Sequence, residues 1–186
     1  MPLVETKNAW KREYLAREEA SRGFDDAEPD DWIFLSDVDE IWRPEKRDES
    51  PKAMWLAYEM FHCYYKLNTP RVPHHDWLGT RRCRKRDWIG GQTLRCFRDP
   101  RIKDGGWHFS FLGDAEAAAT KMESYAHTEY SGGLWTNRRR IAECIESGED
   151  LIVPSARYDP VPIDETFPKP ILEDRQRWSR YIAEVK

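Results

Sequence analysis

The stretch FLSDVDEIW, residues 34–42, places three carboxylates within four positions: Asp37, Asp39 and Glu40. In an extended chain alternate side chains share a face. Asp37 and Asp39 therefore point one way and Val38 the other. Two hard oxygen donors at the end of an apolar strand suit Mg²⁺ or Mn²⁺ shared with a substrate phosphate. Glu40 then tunes the site or orients a neighbour. Two other readings of the same residues stay open. One is a solvated acidic turn. The other is a phosphatase whose first Asp is a nucleophile; such motifs usually carry Thr or Val two places after the second Asp, where this chain has Ile41.

A second group of residues lies in DGGWHFSFLGD, residues 104–114. Gly105 and Gly106 allow close backbone approach or positive φ. Trp107 and Phe109 alternate with His108 and Ser110, which predicts an extended segment with one aromatic and one polar face. His108 reads either as a structural histidine or as a ligand. In KMESYAHTEY, residues 121–130, a helix would bring Thr120, Glu123, Ser124 and His127 onto one face. That face is either simply wet or a place for acid–base chemistry. Trp77, in DWLGT, is a core residue or a platform for a sugar face.

The run RRCRKRDW, residues 81–88, holds five cations in six positions. It reads as a solvated loop, as a diphosphate or acceptor contact, or as a nucleic-acid contact with Trp88 stacking on a base. The net charge of −4 and the lack of a second basic stripe argue against a nucleic-acid groove. The cysteines, Cys63, Cys83, Cys96 and Cys144, form no CxxC pair, so a zinc cage is not expected and four reduced thiols are.

These residues need a scaffold, and 186 residues with nine tryptophans suffice for one domain with a real core. Residues 8–22 lack Pro and favour helix up to Gly23. WIFLS, residues 32–36, predicts a strand buried on both faces, as in a parallel sheet. A short helix is expected over 51–58 and strands over 60–68 and 93–98. Helices are expected over 114–130, capped by Asp114, and over 136–148, closed by Gly148. The proline-rich stretch 154–170 should wrap the surface, with a last short helix over 171–184. The order of elements predicts an α/β domain over residues 1–186, with a wrapping tail from about 151. No apolar run is long enough to cross a bilayer and no signal peptide opens the chain, so it reads as a soluble, cytoplasmic protein.

Taken together and in this order, FLSDVDEIWRPE, DWLGT, GGWHFSFLG and ESYAHTEY resemble glycosyltransferase family 17, which includes the β-1,4-mannosyl-glycoprotein β-1,4-N-acetylglucosaminyltransferase. AWKREYLAREEA is similar to the family's helix before the acidic strand, with Lys11 a departure from the usual acid. The motifs span roughly residues 9–148.

The resemblance implies a GT-A-like (Rossmann-like) mixed sheet flanked by helices. It also implies metal-dependent, inverting transfer of a sugar, N-acetylglucosamine above all, from a UDP-sugar donor to a glycan acceptor such as an N-glycan. Arg17, Asp37, Asp39 and Trp107 are the donor-binding residues it implies. Asp37, Asp39 and His108 are the implied ligands of Mn²⁺ or Mg²⁺. Glu123, His127 and Glu129 are candidates for the base, Glu123 first. Only 36 residues precede Asp37, which implies a sheet shortened at its N-terminal end, with an exposed edge that favours self-association. A shortened sheet also keeps open a non-catalytic protein that binds a glycan or a partner.

Overall fold

The computed structural model describes residues 3–50, 52–73, 77–124 and 126–185. The chain forms two compact units, residues 1–61 with 76–108, and residues 62–75 with 109–186.

The first unit opens with α1 (Leu3–Glu19), which runs on as a 3-10 segment to Phe24. β1 (Trp32–Leu35), β2 (Glu40–Trp42), β3 (Trp55–Tyr64), β5 (Trp77–Arg84) and β6 (Arg101–Ser110) form one mixed sheet in the order β1-β5-β3-β6-β2. β4 is the short strand Arg71–Val72. β1 and β3 each run antiparallel to β5, and β2 runs antiparallel to β6. β3 and β6 are parallel: Ala57 donates to the Pro100 carbonyl and Tyr65 to that of Ser110, so both strands advance together. The protein is thus α/β, as its element order predicts, and its sheet is mixed.

β1 and β2 stand at opposite ends of that order, yet only residues 36–39 join them. A flat sheet would separate its outer strands by about 19 Å, four spacings of about 4.8 Å. A turn whose Glu40 N–H donates to the Asp37 carbonyl at 3.0 Å cannot reach so far. The sheet therefore curls. Phe34 of β1 stacks on Trp42 of β2 with ring centroids 4.0 Å apart.

β1 is apolar throughout because both its faces are covered. Ile33 and Leu35 pack with Cys83 and Leu94. Phe34 turns the other way, onto Leu56, Tyr58, Met60 and Ile102. It is nevertheless an outer strand with an antiparallel neighbour, not the parallel strand its composition suggests.

The two glycines of the GGWHFS segment are fixed by close approach. A Cβ on Gly105 would lie 2.8 Å from the Tyr58 Cβ. A Cβ on Gly106, whose φ is +153°, would lie 2.2 Å from the Ile41 carbonyl oxygen and 2.8 Å from the Trp42 Cα of β2.

Several expected elements differ. Residues 93–98 contribute to a helix, α2 (Gly91–Cys96), and not to a strand. Its start is held by the Glu18 carboxylate of α1, which accepts from Gly91 N at 3.1 Å and Gln92 N at 2.8 Å. That cap is remote in sequence and gives no local signal. The helix expected from Pro51, which lies outside the described residues, is absent over 52–58, where β3 begins at Trp55.

The second unit holds α3 (Ala115–Ser124), α4 (Arg138–Ser147) and a small sheet of β4 with β7 (Arg157–Tyr158). Asp114 caps α3 by accepting from Ala117 N, and Asn137 caps α4 by accepting from Arg140 N. Gly148 closes α4 at φ +75°. Tyr65, Phe111, Met122, Ile141, Leu151 and Tyr158 form the core. The proline-rich tail does more than wrap the surface, since Leu151, Ala156, Phe167 and Ile171 are buried. Its last helices are short, α5 (Lys169–Glu173) and α6 (Arg175–Trp178).

Candidate functional site

The turn after β1 inverts ordinary polarity. Val38 is 100% exposed at its tip, while Glu40 is 3% exposed. Asp37 and Asp39 are partly buried, at 39% and 20% side-chain exposure. The segment is a turn and not the extended chain expected, and Asp37 and Asp39 meet different partners.

Each acid has its own partners. The Asp37 carboxylate accepts from Arg95 at 3.0 Å and from Arg17 at 3.3 Å. Arg17 is held in turn by Glu13 at 2.6 Å and by the Gln92 side-chain carbonyl at 2.9 Å. Asp39 Oδ2 lies 3.3 Å from His108 Nε2. His108 sits on β6 opposite Glu40 of β2 and stacks on the Trp77 indole, with centroids 4.2 Å apart and 16° between planes. The Trp77 Nε1 donates to Glu40 Oε1 at 2.7 Å. Glu40 also accepts from the Asp37 N–H at 3.1 Å and from both terminal nitrogens of Arg95. Burial works against the Arg95 charge, but the hydrogen bonds and charge of Glu40 outweigh it and raise its affinity for the proton.

A carboxylate and an imidazole nitrogen are donors that Mn²⁺ takes, so Asp39 and His108 fit as two protein ligands. A cation of this class draws its remaining ligands from diphosphate oxygens and water. Asp37 is committed to two guanidiniums. Among the described residues no three or more His, Cys, Asp or Glu side chains are gathered as a metal cage. Trp107 is buried in β6, with the Arg43 guanidinium 4.0 Å from its ring centre.

The candidate bases belong to the second unit. Glu123 is the penultimate residue of α3 and lies 3.6 Å from Arg138. The helix ends at Ser124, and His127 has non-helical φ −77° and ψ 66°. The single face expected to join Glu123 to His127 therefore does not form; Tyr125, between them, lies outside the described residues. His127 instead pairs with Glu129, Nδ1 to Oε1 at 2.7 Å. Burial works to raise the Glu129 pKa, but the hydrogen bond from His127 wins and holds it below the ordinary carboxylate range.

The basic run is not a solvated loop. Arg81 and Arg82 are buried on β5. Arg81 donates to the Phe97, Leu78 and Gly79 carbonyls, and burial pushes its pKa down to about 10. Arg82 donates to the Arg47, Glu49 and Ser50 carbonyls and lies over the Trp32 ring. Lys85 donates to the Asp25 and Ala27 carbonyls. These cations staple loops to the sheet.

Arg95 carries no mark in the sequence: it lies in a segment that reads as a strand but folds as α2, and nothing local singles it out. No family model, curated protein or solved structure matches the chain. Among the described residues no helix is long and apolar enough to cross a membrane.

Proposed function

We propose that the protein is a metal-dependent, inverting glycosyltransferase of the family 17 type with a GT-A-like fold, moving a sugar, N-acetylglucosamine first, from a UDP-sugar to a glycan hydroxyl. The observation that carries this is the inverted turn, with a fully exposed valine at its tip, Glu40 enclosed and Asp37 and Asp39 partly buried. Burying a valine is worth about 1.5–3 kcal/mol, and an enclosed carboxylate costs several kcal/mol unless compensated. A sequence selected for stability alone would reverse that arrangement.

Asp39 and His108 are the residues that would hold the cation. When bound, it acts as a Lewis acid that absorbs charge as the nucleoside diphosphate departs. Arg17 and Arg95 bring two positive charges to the same turn, where they orient the Asp37 carboxylate and favour an anionic donor. The acceptor hydroxyl must lose a proton.

Equilibrium binding of UDP-N-acetylglucosamine tests the proposal. Affinity should rise with Mn²⁺ in the wild type, and that gain should vanish in Asp39→Ala. Equal affinity with and without Mn²⁺ in both proteins would remove the metal role from this turn.

A further inference from the structure

We infer that Glu40 and Arg95 form a positioning pair that sets the Asp37–Asp39 turn, Glu40 bracing it from inside and Arg95 carrying the constraint to the Asp37 carboxylate. The inference deepens the transferase reading and rests on it for its functional consequence.

The Glu40 side chain is 0% exposed. An enclosed carboxylate persists only with its lone pairs satisfied, and its partners are the Trp77 indole N–H, the Arg95 guanidinium and the Asp37 backbone N–H. The last of these matters most. The Asp37 N–H donates to the Glu40 carboxylate at 3.1 Å, and the Glu40 N–H donates back to the Asp37 carbonyl at 3.0 Å. Two hydrogen bonds in opposite senses close the turn and fix the backbone that carries Asp39.

Arg95 extends the brace to a side chain. Its guanidinium reaches both Glu40 and, at 3.0 Å, Asp37. A planar fork serves two carboxylates in this way, whereas an ammonium is a single point charge. Gly79 supplies the room, since a Cβ there would lie 3.1 Å from the Glu40 carboxyl carbon. The third acid of the motif thus acts from behind the turn, through Asp37, and not as a ligand.

Two variants and two readouts test this. Arg95→Lys keeps a compensating charge beside Glu40, and so the fold, while giving up the fork. Glu40→Gln keeps the shape and removes the charge. Amide exchange at Asp37, read by NMR on the metal-free protein, reports the brace; Mn²⁺ uptake in the presence of UDP, read from the free-Mn²⁺ EPR signal, reports its consequence. Glu40→Gln should speed Asp37 exchange about tenfold or more, and both variants should weaken Mn²⁺ uptake about 10–100-fold with unchanged near-UV circular dichroism. Wild-type exchange and wild-type uptake in both variants would overturn the inference. If the wild type takes up no Mn²⁺ with UDP, the transferase reading falls, and Asp37 exchange alone decides the positioning pair. If Glu40→Gln does not fold, Arg95→Lys carries the test: without the guanidinium that holds the Glu40 carboxylate, Asp37 exchange should quicken and Mn²⁺ uptake should weaken.

Discussion

Gly106→Ala probes the contact that joins fold to site. The new Cβ would stand 2.2 Å from the Ile41 carbonyl oxygen and 2.8 Å from the Trp42 Cα. Both are backbone atoms of β2, so no side chain can swing aside. β2 must move by about 1 Å to restore ordinary contact, and overpacking of this kind costs about 1–3 kcal/mol. The residue also sits at φ +153°, and strain for an L side chain there adds about 1–3 kcal/mol. The total, about 2–6 kcal/mol, is a large part of a typical stability of about 5–15 kcal/mol. Urea unfolding should show a midpoint lowered by about 1–3 M at an m-value near 2 kcal/mol/M. Gly132→Ala is the control: its φ is −161° and nothing lies within 4 Å of the added Cβ, so a change within about 0.5 kcal/mol is expected. Because Glu40 pairs with His108 along the same ladder, donor binding should weaken with stability in Gly106→Ala. A Gly106→Ala protein as stable as Gly132→Ala would refute the close packing of β2 on β6.

Arg82→Ala should destabilise the protein by about 2–4 kcal/mol, because the Glu49 and Ser50 carbonyls lose their donor; limited proteolysis should then cut near residues 47–50, and an uncut, equally stable variant would show that the arginine is not a staple. In the native protein a thiol reagent should modify the exposed Cys96 quickly, and Cys63, Cys83 and Cys144 only after unfolding. Burial pushes the Cys83 thiol from an ordinary 9.0 up to about 12. The fold therefore holds a proton that the unfolded chain releases, so this stability is intact below pH 9 and is lost as pH rises from about 9 to 12. Urea midpoints at pH 8 and pH 10 should differ less in Cys83→Ala than in the wild type.

What the sequence makes legible is what local chemistry decides. The Asp114 and Asn137 caps and the Gly148 closure are written in neighbouring residues, whereas the close approach that demands glycine at 105 and 106 comes from Tyr58, Ile41 and Trp42, far along the chain. Chemistry supplied from far along the chain is not legible. α2 starts where it does because Glu18, 73 positions away, accepts its first N–H groups. Arg81 and Arg82 look like surface charge until the carbonyls they bind are known. Asp37, Asp39 and His108 were visible as chemistry-bearing residues. Arg95, the residue that links Asp37 to Glu40, belongs to a segment whose alternation suggests a strand. The curl that brings β2 beside β1 follows from strand order, which no local pattern encodes.

The most direct measurement is release of UDP from UDP-N-acetylglucosamine by the purified chain, with Mn²⁺ and with chelator, for wild type and Asp39→Ala. Turnover that needs Mn²⁺ and disappears in Asp39→Ala is the expected result. A wild-type protein that neither binds nor consumes the sugar nucleotide at any Mn²⁺ concentration would contradict a transferase built on this turn.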